Sequence, residues 1–188
     1  SLSNNQFIEL ASYCKKKKIK FLSSAFDIPS ILFLDKKIGI DFIKIPSGEI
    51  NNVPYLEVIG KLRKKVLLST GMSSLKEIKN AKRILKKNGT ISKNIIVMHC
   101  ISDYPTNTKD LNLKFINTLN FFFETVGFSD HTLGFEASIA AVAMDVKFIE
   151  KHFTLNKKMK GPDHSISLDI GELRNFIKKI RLTEELLG

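Results

Sequence analysis

The feature that most constrains the fold is a regular alternation of short β-rich runs with longer amphipathic stretches. The β-rich runs are dominated by Val, Ile, Leu and Phe, and polar residues or Gly bound each of them. Six runs are predicted as strands, at residues 19–23, 42–46, 66–69, 95–100, 125–128 and 146–150. Helices are predicted around them, at residues 5–17, 30–38, 54–61, 73–88, 111–120, 135–144 and 168–187. This order predicts βαβ units and a parallel sheet, which is an α/β fold.

A parallel sheet of this kind either forms an open doubly wound layer or closes into a TIM (β/α)8-type barrel. The Gly-rich G-x-G-x-x-G fingerprint of dinucleotide-binding open sheets is missing, because "STGMSS" and "IPSGE" do not match it. Polar groups instead end every strand, in "SSAFD", "KIPSGE", "STGM", "HCISDYP", "FSDH" and "EKHF". Strand ends converge on one site in a barrel, so the pattern favours a barrel. Since only six strands are visible, we expect either that two strands are missing at the N-terminus or that the fold is not a full barrel.

The composition excludes several classes of partner. The net charge is +11, but the lysines are spread over predicted helix faces with few interleaved Arg or aromatic residues, so no nucleic acid is expected. A positive field does favour small anionic substrates. No apolar run is long enough for a membrane span and no secretory signal is visible, so we expect a cytoplasmic protein without a membrane partner. Cys14 and Cys100 are then expected to be reduced thiols.

Two histidines at equivalent strand ends are the strongest candidates for a metal site. His131 follows one apolar strand in "VGFSDHTLG", and His152 follows the next in "VKFIEKHFTL". A single histidine in this position is most often a hydrogen-bonded structural residue. Two on consecutive strands lie within reach of one ion, and imidazole suits Zn, Mn or Fe. His99 and His164 are weaker candidates, since one lies inside a strand and the other in a loop.

A set of hydroxyl groups at strand ends indicates an anion site. The set comprises Ser23, Ser24, Ser47, Ser69, Thr70, Ser102 and Ser129. Together with Lys44, a charged residue inside a predicted buried strand, these donors suit a phosphate or carboxylate. Glu49, Tyr104 and Asp163 are loop residues that are placed to bind the hydroxyls of a sugar. Glu150 and Lys151 form either a structural ion pair or a support for the neighbouring metal ligand.

Six segments of the chain resemble those of a known family, both in their residues and in their order along the sequence. They are "FLSSAFD", "FIKIPSGEINNVPYLEVIG", "VLLSTGM", "MHCISDYPT", "VGFSDHTLG" and "IEKHFTLNKKMKGPDHSISLD". The chain resembles the sialic acid synthase family, which includes N-acetylneuraminate, legionaminate and pseudaminate synthases. The resemblance covers nearly all of the sequence, and the combination of "FSDHTLG", "EKHFTL" and "GPDH" is highly specific.

The resemblance implies a barrel enzyme of carbohydrate and polysaccharide biosynthesis. It is a transferase that condenses phosphoenolpyruvate with an N-acylated aminosugar, such as N-acetylmannosamine, to give a nonulosonic acid and phosphate. A divalent metal, commonly Mn²⁺ with Mg²⁺ or Co²⁺ as alternatives, is implied at His131 and His152. Catalytic roles are implied for Lys44, His131 and His152. The implied substrate-binding residues are Ser24, Lys44, Ser47, Glu49, Ser69, Ser102, Tyr104, Ser129 and Asp163.

The chain also departs from the family's full pattern. The resemblance implies one barrel domain over residues 1–188 that holds strands three to eight only. A catalytic Glu, a Lys and a Gln of the first two strands would precede Ser1, and a C-terminal antifreeze-like domain would follow Gly188. The family forms homodimers, so a homodimer is implied as well. Two alternatives stay open: an incomplete barrel that binds metal and phosphoenolpyruvate without turnover, and a metal-dependent aldolase of another barrel family.

Overall fold

The computed structural model describes residues 2–188, and its elements follow the predicted alternation. The strands are β1 (Phe42–Ile45), β2 (Lys65–Ser69), β3 (Ile95–Cys100), β4 (Val126–Asp130) and β5 (Phe148–Lys151). The helices are α1 (Asn4–Lys16), α2 (Ile28–Phe33), α3 (Val53–Leu62), α4 (Leu75–Lys87), α5 (Phe115–Phe122), α6 (Glu136–Ala143) and α7 (Ile170–Leu187). A π-helical turn, Leu34–Ile38, continues α2.

The described residues cluster into two compact units. Unit one contains residues 2–68 and 73–95, and unit two contains residues 69–72 and 96–188. The prediction of a single barrel domain over residues 1–188 stays a prediction.

Unit one is built on the parallel pair β1 and β2, in which Lys44 is the register partner of Leu67. Its helices begin where the sequence provides caps. Ser74 accepts a hydrogen bond from the backbone N–H of Glu77, and the Glu77 carboxylate accepts one from the backbone N–H of Ser74. This reciprocal capping box satisfies two N–H groups that have no partner inside the helix. The apolar side of α4, with Ile78 and Leu85, is buried.

The first predicted strand, residues 19–23, does not form. Of the described residues around it, only Ser24 pairs with the sheet, through a single parallel bridge to Lys44. Ile19 and Leu22 are exposed, so the alternation of this segment does not bury an apolar face. Because a strand is stabilised by side chains packed against its neighbours, one bridge leaves the segment irregular.

Unit two is built on three parallel strands in the order β3, β4, β5. Every residue of β3 and β4 is buried, as expected for a parallel sheet with both faces covered. β4 and β5 are in register at Ser129 with Glu150 and at Asp130 with Lys151. This register sets the positions of the residues that follow the two strands.

None of the helices in residues 2–188 combines the length and apolar character that a membrane crossing requires. Cys14 and Cys100 are not joined to each other by a disulfide.

Candidate active site

In unit two, the segments that follow β3, β4 and β5 meet around two histidines. His131 directly follows β4 and His152 directly follows β5. Their rings are perpendicular, with 5.5 Å between the centroids. Tyr104, from the segment after β3, lies 4.0 Å from the His131 ring and 5.8 Å from the His152 ring, centroid to centroid. The structure therefore brings the two histidines together, and the metal ion that they are predicted to share stays a prediction.

The orientation of the His131 ring is fixed by a backbone carbonyl. His131 Nδ1 lies 2.7 Å from the oxygen of Ile101. Because a carbonyl oxygen only accepts, Nδ1 carries the proton and donates it, which leaves the lone pair on Nε2. The backbone is held as well, since Thr106 N–H donates to the His131 carbonyl at 2.9 Å. His131 thus presents Nε2 in a fixed direction.

The free nitrogen of His131 lies beside Ser129. Ser129 Oγ is 3.4 Å from His131 Nε2 but only 2.6 Å from Glu150 Oε1. A hydroxyl has one proton, and the short contact with the carboxylate takes it. Ser129 therefore donates to Glu150, and the Nε2 lone pair of His131 stays available to a ligand.

The charge state of His131 follows from its burial. Only 7% of the residue is exposed. Burial lowers the pKa of the imidazole from its usual value, and the neighbouring His152 lowers it further. The Ile101 carbonyl, Glu150 and Asp130 act in the opposite direction but do not reverse the net shift. A lowered pKa keeps the ring neutral, which is the form that ligates metals.

His152 lies beside the carboxylate of Asp163. Its Nδ1 lies 3.6 Å from Asp163 Oδ2, which is within ion-pair range and beyond hydrogen-bond length. Asp163 is itself held by Ser167, whose N–H and Oγ both donate to the Asp163 carbonyl, at 3.1 and 2.7 Å. The loop after β5 therefore places a carboxylate beside His152, at a longer distance than the Ile101 carbonyl that accepts from His131.

Tyr104 completes the cluster from the side of β3. About half of this residue is exposed. Burial of the remainder raises the pKa of its phenol, and the nearby Cys100, Asp163 and Glu150 add to that rise. The hydroxyl is therefore a neutral donor at physiological pH.

The two imidazoles fit a divalent metal ion. The His131 ring donates one nitrogen's proton to an oxygen acceptor, the usual arrangement of metal-binding histidines, and His152 has a carboxylate beside it. No group of three or more His, Cys, Asp or Glu side chains within residues 2–188 is arranged to hold an ion. A metal bound here would have two protein ligands and would keep its other positions for water or substrate.

Two further predicted residues of unit two are hydroxyls. Ser69 is 3% exposed, and its Oγ is the one buried side-chain oxygen or nitrogen within residues 2–188 that has no hydrogen-bond partner. A buried hydroxyl without a partner costs free energy unless a ligand satisfies it. Ser102 is half-buried in the segment between β3 and Tyr104.

The other predicted residues lie in unit one, at the end of β1. Lys44 is buried in the strand, as predicted, and its neighbour across the single bridge is the exposed Ser24. Ser47 and Glu49 follow in a short 3₁₀ turn, Ser47–Glu49, where Glu49 accepts a 2.6 Å hydrogen bond from Asn52 Nδ2. The structure thus brings Ser24 next to Lys44. The predicted ligand contacts of these four residues stay predictions.

The weaker histidine candidates have partners of their own. His99 is buried, with Nε2 3.0 Å from the Leu111 carbonyl and its ring stacked on Phe128. His164 Nδ1 lies 2.7 Å from Thr154 Oγ1. Neither ring joins His131 and His152 in the cluster.

Sequence patterns alone missed the role of Asp130. One alternative predicted from the sequence was an ion pair between Glu150 and Lys151. In the structure Lys151 pairs with Asp130 instead, with 3.1 Å between Lys151 Nζ and Asp130 Oδ2. Glu150 accepts a hydrogen bond from Ser129 on the side of the two histidines, and its predicted support of a metal ligand stays a prediction. The only signal in the sequence was a charged residue directly before each histidine, Asp130 before His131 and Lys151 before His152.

The parallel strands and the histidine pair at their ends define an α/β protein with its site at the carboxyl ends of the strands. The chain belongs to the NeuB family, whose sequence profile matches residues 1–188. It is 47% identical over 181 residues to the N,N'-diacetyllegionaminic acid synthase of Campylobacter jejuni, covering 96% of this chain and 54% of that protein. It is 37% identical over 188 residues to the human N-acetylneuraminate-9-phosphate synthase, and this match covers 99% of this chain and 51% of the human protein. The predicted family is confirmed.

The fold agrees with a solved relative. The N-acetylneuraminic acid (sialic acid) synthetase of Leptospira borgpetersenii, crystallised with citrate, matches with a TM-score of 0.94 and 35% identity. The match covers 100% of this chain and 65% of that one. The predicted TIM-barrel-type α/β fold class is confirmed. The chain spans about half the length of the curated relatives it matches.

Proposed function

We propose that the chain is part of an enzyme that condenses phosphoenolpyruvate with an N-acylated aminosugar to give a nonulosonic acid and phosphate. The observation that carries the proposal is the pair of His131 and His152, whose ring centroids lie 5.5 Å apart. The Ile101 carbonyl orients the His131 ring, and the Asp163 carboxylate lies beside His152. Membership of the NeuB family and the names of the relatives support the same reaction.

The proposed reaction forms one carbon–carbon bond and breaks one carbon–oxygen bond. C3 of phosphoenolpyruvate attacks the aldehyde carbon of the open-chain aminosugar, and the aldehyde oxygen becomes a hydroxyl. Water adds at C2 of the former phosphoenolpyruvate, and phosphate leaves with the oxygen that joined it to C2. No oxidant or reductant is required.

In this proposal His131 and His152 hold Mn²⁺, or Mg²⁺ or Co²⁺ in its place. When bound, the ion supplies Lewis-acid polarisation of the aldehyde oxygen. Neutral imidazole is the form needed for that role, and the burial that lowers the pKa of His131 provides it. The Ile101 carbonyl holds the His131 ring in place before substrate arrives, and the Asp163 carboxylate lies beside His152.

The other predicted site residues are proposed to bind the substrates. Ser69 has a buried hydroxyl without a partner, which a phosphate or carboxylate oxygen of phosphoenolpyruvate would satisfy. Tyr104 and Asp163 both flank the histidines and are partly exposed, so they are assigned to the hydroxyl and amide groups of the sugar. Lys44, Ser24, Ser47, Glu49, Ser102 and Ser129 keep the substrate-binding roles that the resemblance implies.

The relatives' names define the sugars to be tested. One name refers to a product with two N-acetyl groups, and another to a product that carries a 9-phosphate. The substrate panel is therefore N-acetylmannosamine, its 6-phosphate and a doubly N-acetylated aminosugar. We also propose a cytoplasmic location, where phosphoenolpyruvate is available.

Phosphate release is the direct test. The purified 188-residue chain is incubated with phosphoenolpyruvate, each sugar and Mn²⁺, with and without excess EDTA. We expect phosphate release that needs both the sugar and the metal. Calorimetry should show Mn²⁺ binding by the unaltered chain and none by His131→Ala or His152→Ala. A variant that binds Mn²⁺ normally would return that histidine to a structural role.

The same experiment separates the alternatives. Binding of Mn²⁺ and phosphoenolpyruvate without phosphate release would favour a binding protein that does not turn over. Phosphate release that proceeds without any aminosugar would overturn the proposed condensation.

A further inference from the structure

Two neighbouring side-chain pairs join β4 to β5 immediately before the histidines. On one face Ser129 Oγ donates to Glu150 Oε1 at 2.6 Å. On the other face Lys151 Nζ lies 3.1 Å from Asp130 Oδ2. Both pairs are also register partners along the two strands. Since side chains alternate between faces, His131 and His152 lie on the side of the first pair, and the ion pair lies behind them.

The ion pair is deeply buried and also holds the turn that carries His131. The side chains of Lys151 and Asp130 are only 4% and 0% exposed. Lys151 Nζ donates to the carbonyl of Thr132 at 2.6 Å, one residue after His131. Asp130 Oδ1 accepts from the Thr132 N–H and Oγ1 at 2.8 and 2.7 Å. Asp130 Oδ2 also accepts from Ser138 Oγ of α6 at 2.6 Å. The residues on both sides of His131 are thus fixed by two charges.

Stability alone is a weak reason for such a pair. Removing two charges from water costs several kcal/mol, and apolar residues of similar volume often replace a buried pair without loss. Buried polar pairs do set register, because a slip by one residue would place every side chain on the opposite face. Here a slip of β5 would move His152 away from the face of His131.

We infer that Asp130 and Lys151 are positioning residues that fix the register of β4 on β5 and the turn at His131, so that His131 and His152 can share one metal ion. This inference rests on the proposed function, because it concerns the same metal site. If Asp130 and Lys151 have this role, metal affinity depends on the register of β4 on β5 as well as on the two histidines.

The test compares three variants of the full chain with the unaltered protein. Lys151→Met leaves Asp130 buried without its cation. Asp130→Asn/Lys151→Met removes both charges and keeps an amide that can still bond to Thr132 and Ser138. Asp130→Ala/Lys151→Met removes those bonds as well. Each variant is measured for its unfolding midpoint in urea, for Mn²⁺ affinity by calorimetry, and for the His131 Nδ1–H proton resonance in the metal-free state.

Positioning and stabilisation predict different patterns. If the pair positions the histidines, Asp130→Asn/Lys151→Met regains stability relative to Lys151→Met, while its Mn²⁺ affinity stays roughly 10- to 100-fold below that of the unaltered chain, as for other residues behind metal ligands. Asp130→Ala/Lys151→Met should also lose the slowly exchanging His131 Nδ1–H signal. If the pair only stabilises, affinity recovers together with the midpoint.

Controls keep the outcome interpretable. Ile78→Val, in the buried face of α4 in unit one, lowers the unfolding midpoint and should leave Mn²⁺ affinity unchanged. If the double variants do not fold, Thr132→Val removes one donor to Asp130 and keeps both charges. Weaker Mn²⁺ binding at an unchanged midpoint then supports positioning, and unchanged binding overturns it.

If the unaltered chain binds no Mn²⁺, the proposed metal site is wrong. The His131 Nδ1–H signal then still decides the positioning role, which is overturned if that signal survives in every folded variant.

Discussion

The ring of Tyr104 lies over the ring of His131, with 4.0 Å between the centroids and 32° between the ring planes. This contact joins the segment after β3 to the end of β4, so it orders two walls of the candidate site at once. The tyrosine is half-exposed, and its ring covers the imidazole while its hydroxyl takes no part in that ring contact. The ring and the hydroxyl therefore have separable roles.

Substitutions at Tyr104 should separate those roles. Tyr104→Phe keeps the ring contact and removes the hydroxyl, so we expect unchanged Mn²⁺ affinity and a raised KM for the aminosugar. Tyr104→Leu removes the aromatic contact, worth about 0.5–1.5 kcal/mol, so Mn²⁺ binding should weaken roughly threefold to tenfold. Calorimetry and initial rates measure the two effects. Equal loss of Mn²⁺ affinity in both variants would contradict the division.

Lys44 tests the predicted anion site of unit one. It is a buried cation in β1, and a hydrogen bond between charged groups contributes about 1.5–3 kcal/mol. Lys44→Met should therefore weaken phosphoenolpyruvate binding roughly 10- to 100-fold, measured by calorimetry. Lys61→Met is the matched control, because it removes the same charge from an exposed position of α3. If both variants weaken binding equally, the overall field of the protein, and not a contact of Lys44, attracts the anion.

The sequence predicted those parts of the fold that local patterns determine. The helix predicted at residues 73–88 forms as α4, and Lys44 is buried where a charge stands in an apolar run. His131 and His152 lie close together, since neighbouring parallel strands bring the residues after them together. These predictions depend on side-chain period and on the order of strands, both of which are visible along the chain.

Register and partner choice could not be predicted in the same way. Lys151 pairs with Asp130 and not with Glu150, because adjacent residues of a strand point to opposite faces and the partner comes from another strand. The carbonyl of Ile101 that orients His131 carries no side-chain signal at all. The segment at residues 19–23 has the composition of a strand. It does not form one, because a strand needs more pairing than the single bridge at Ser24.

The buried His99 should make the stability of the protein depend on pH. Burial lowers the pKa of its imidazole in the folded state, and only the hydrogen bond with Leu111 opposes that shift. Below the usual value of about 6.5 the unfolded chain binds a proton that the folded chain excludes. The free energy of unfolding should therefore fall as the pH drops from 7.5 through 6.5 towards the lowered pKa, and should change little above 7.5 on this account.

His99→Gln isolates that contribution. Glutamine does not titrate, and its amide can still donate to the Leu111 carbonyl. Urea titrations at pH 7.5 and pH 5.5 should show a smaller loss of stability in the variant than in the unaltered chain. Some loss should remain, because burial also lowers the pKa of His131. An identical pH dependence in the two proteins would show that His99 does not contribute.

Gly127 of β4 should tolerate no side chain. A methyl group there would meet the sulfur of Met98 in β3 and would lie 2.9 Å from both the Cβ and the backbone oxygen of Phe148 in β5. The methionine end can move, but the backbone of β5 cannot do so without disturbing its register with β4. Gly127→Ala should therefore lower the free energy of unfolding by about 1–3 kcal/mol, as overpacking of a core does.

The matched control for Gly127→Ala is Gly171→Ala in α7. A methyl group at Gly171 meets only Asp169 Oδ1 at 3.4 Å, and alanine is favoured over glycine in a helix by roughly 0.5–1 kcal/mol. Urea denaturation should thus show a loss of stability for the first variant and no loss for the second. Because β4 and β5 carry His131 and His152, Gly127→Ala should also weaken Mn²⁺ binding, which calorimetry measures. Full stability together with full Mn²⁺ affinity in Gly127→Ala would show that β5 can shift without affecting the histidine pair.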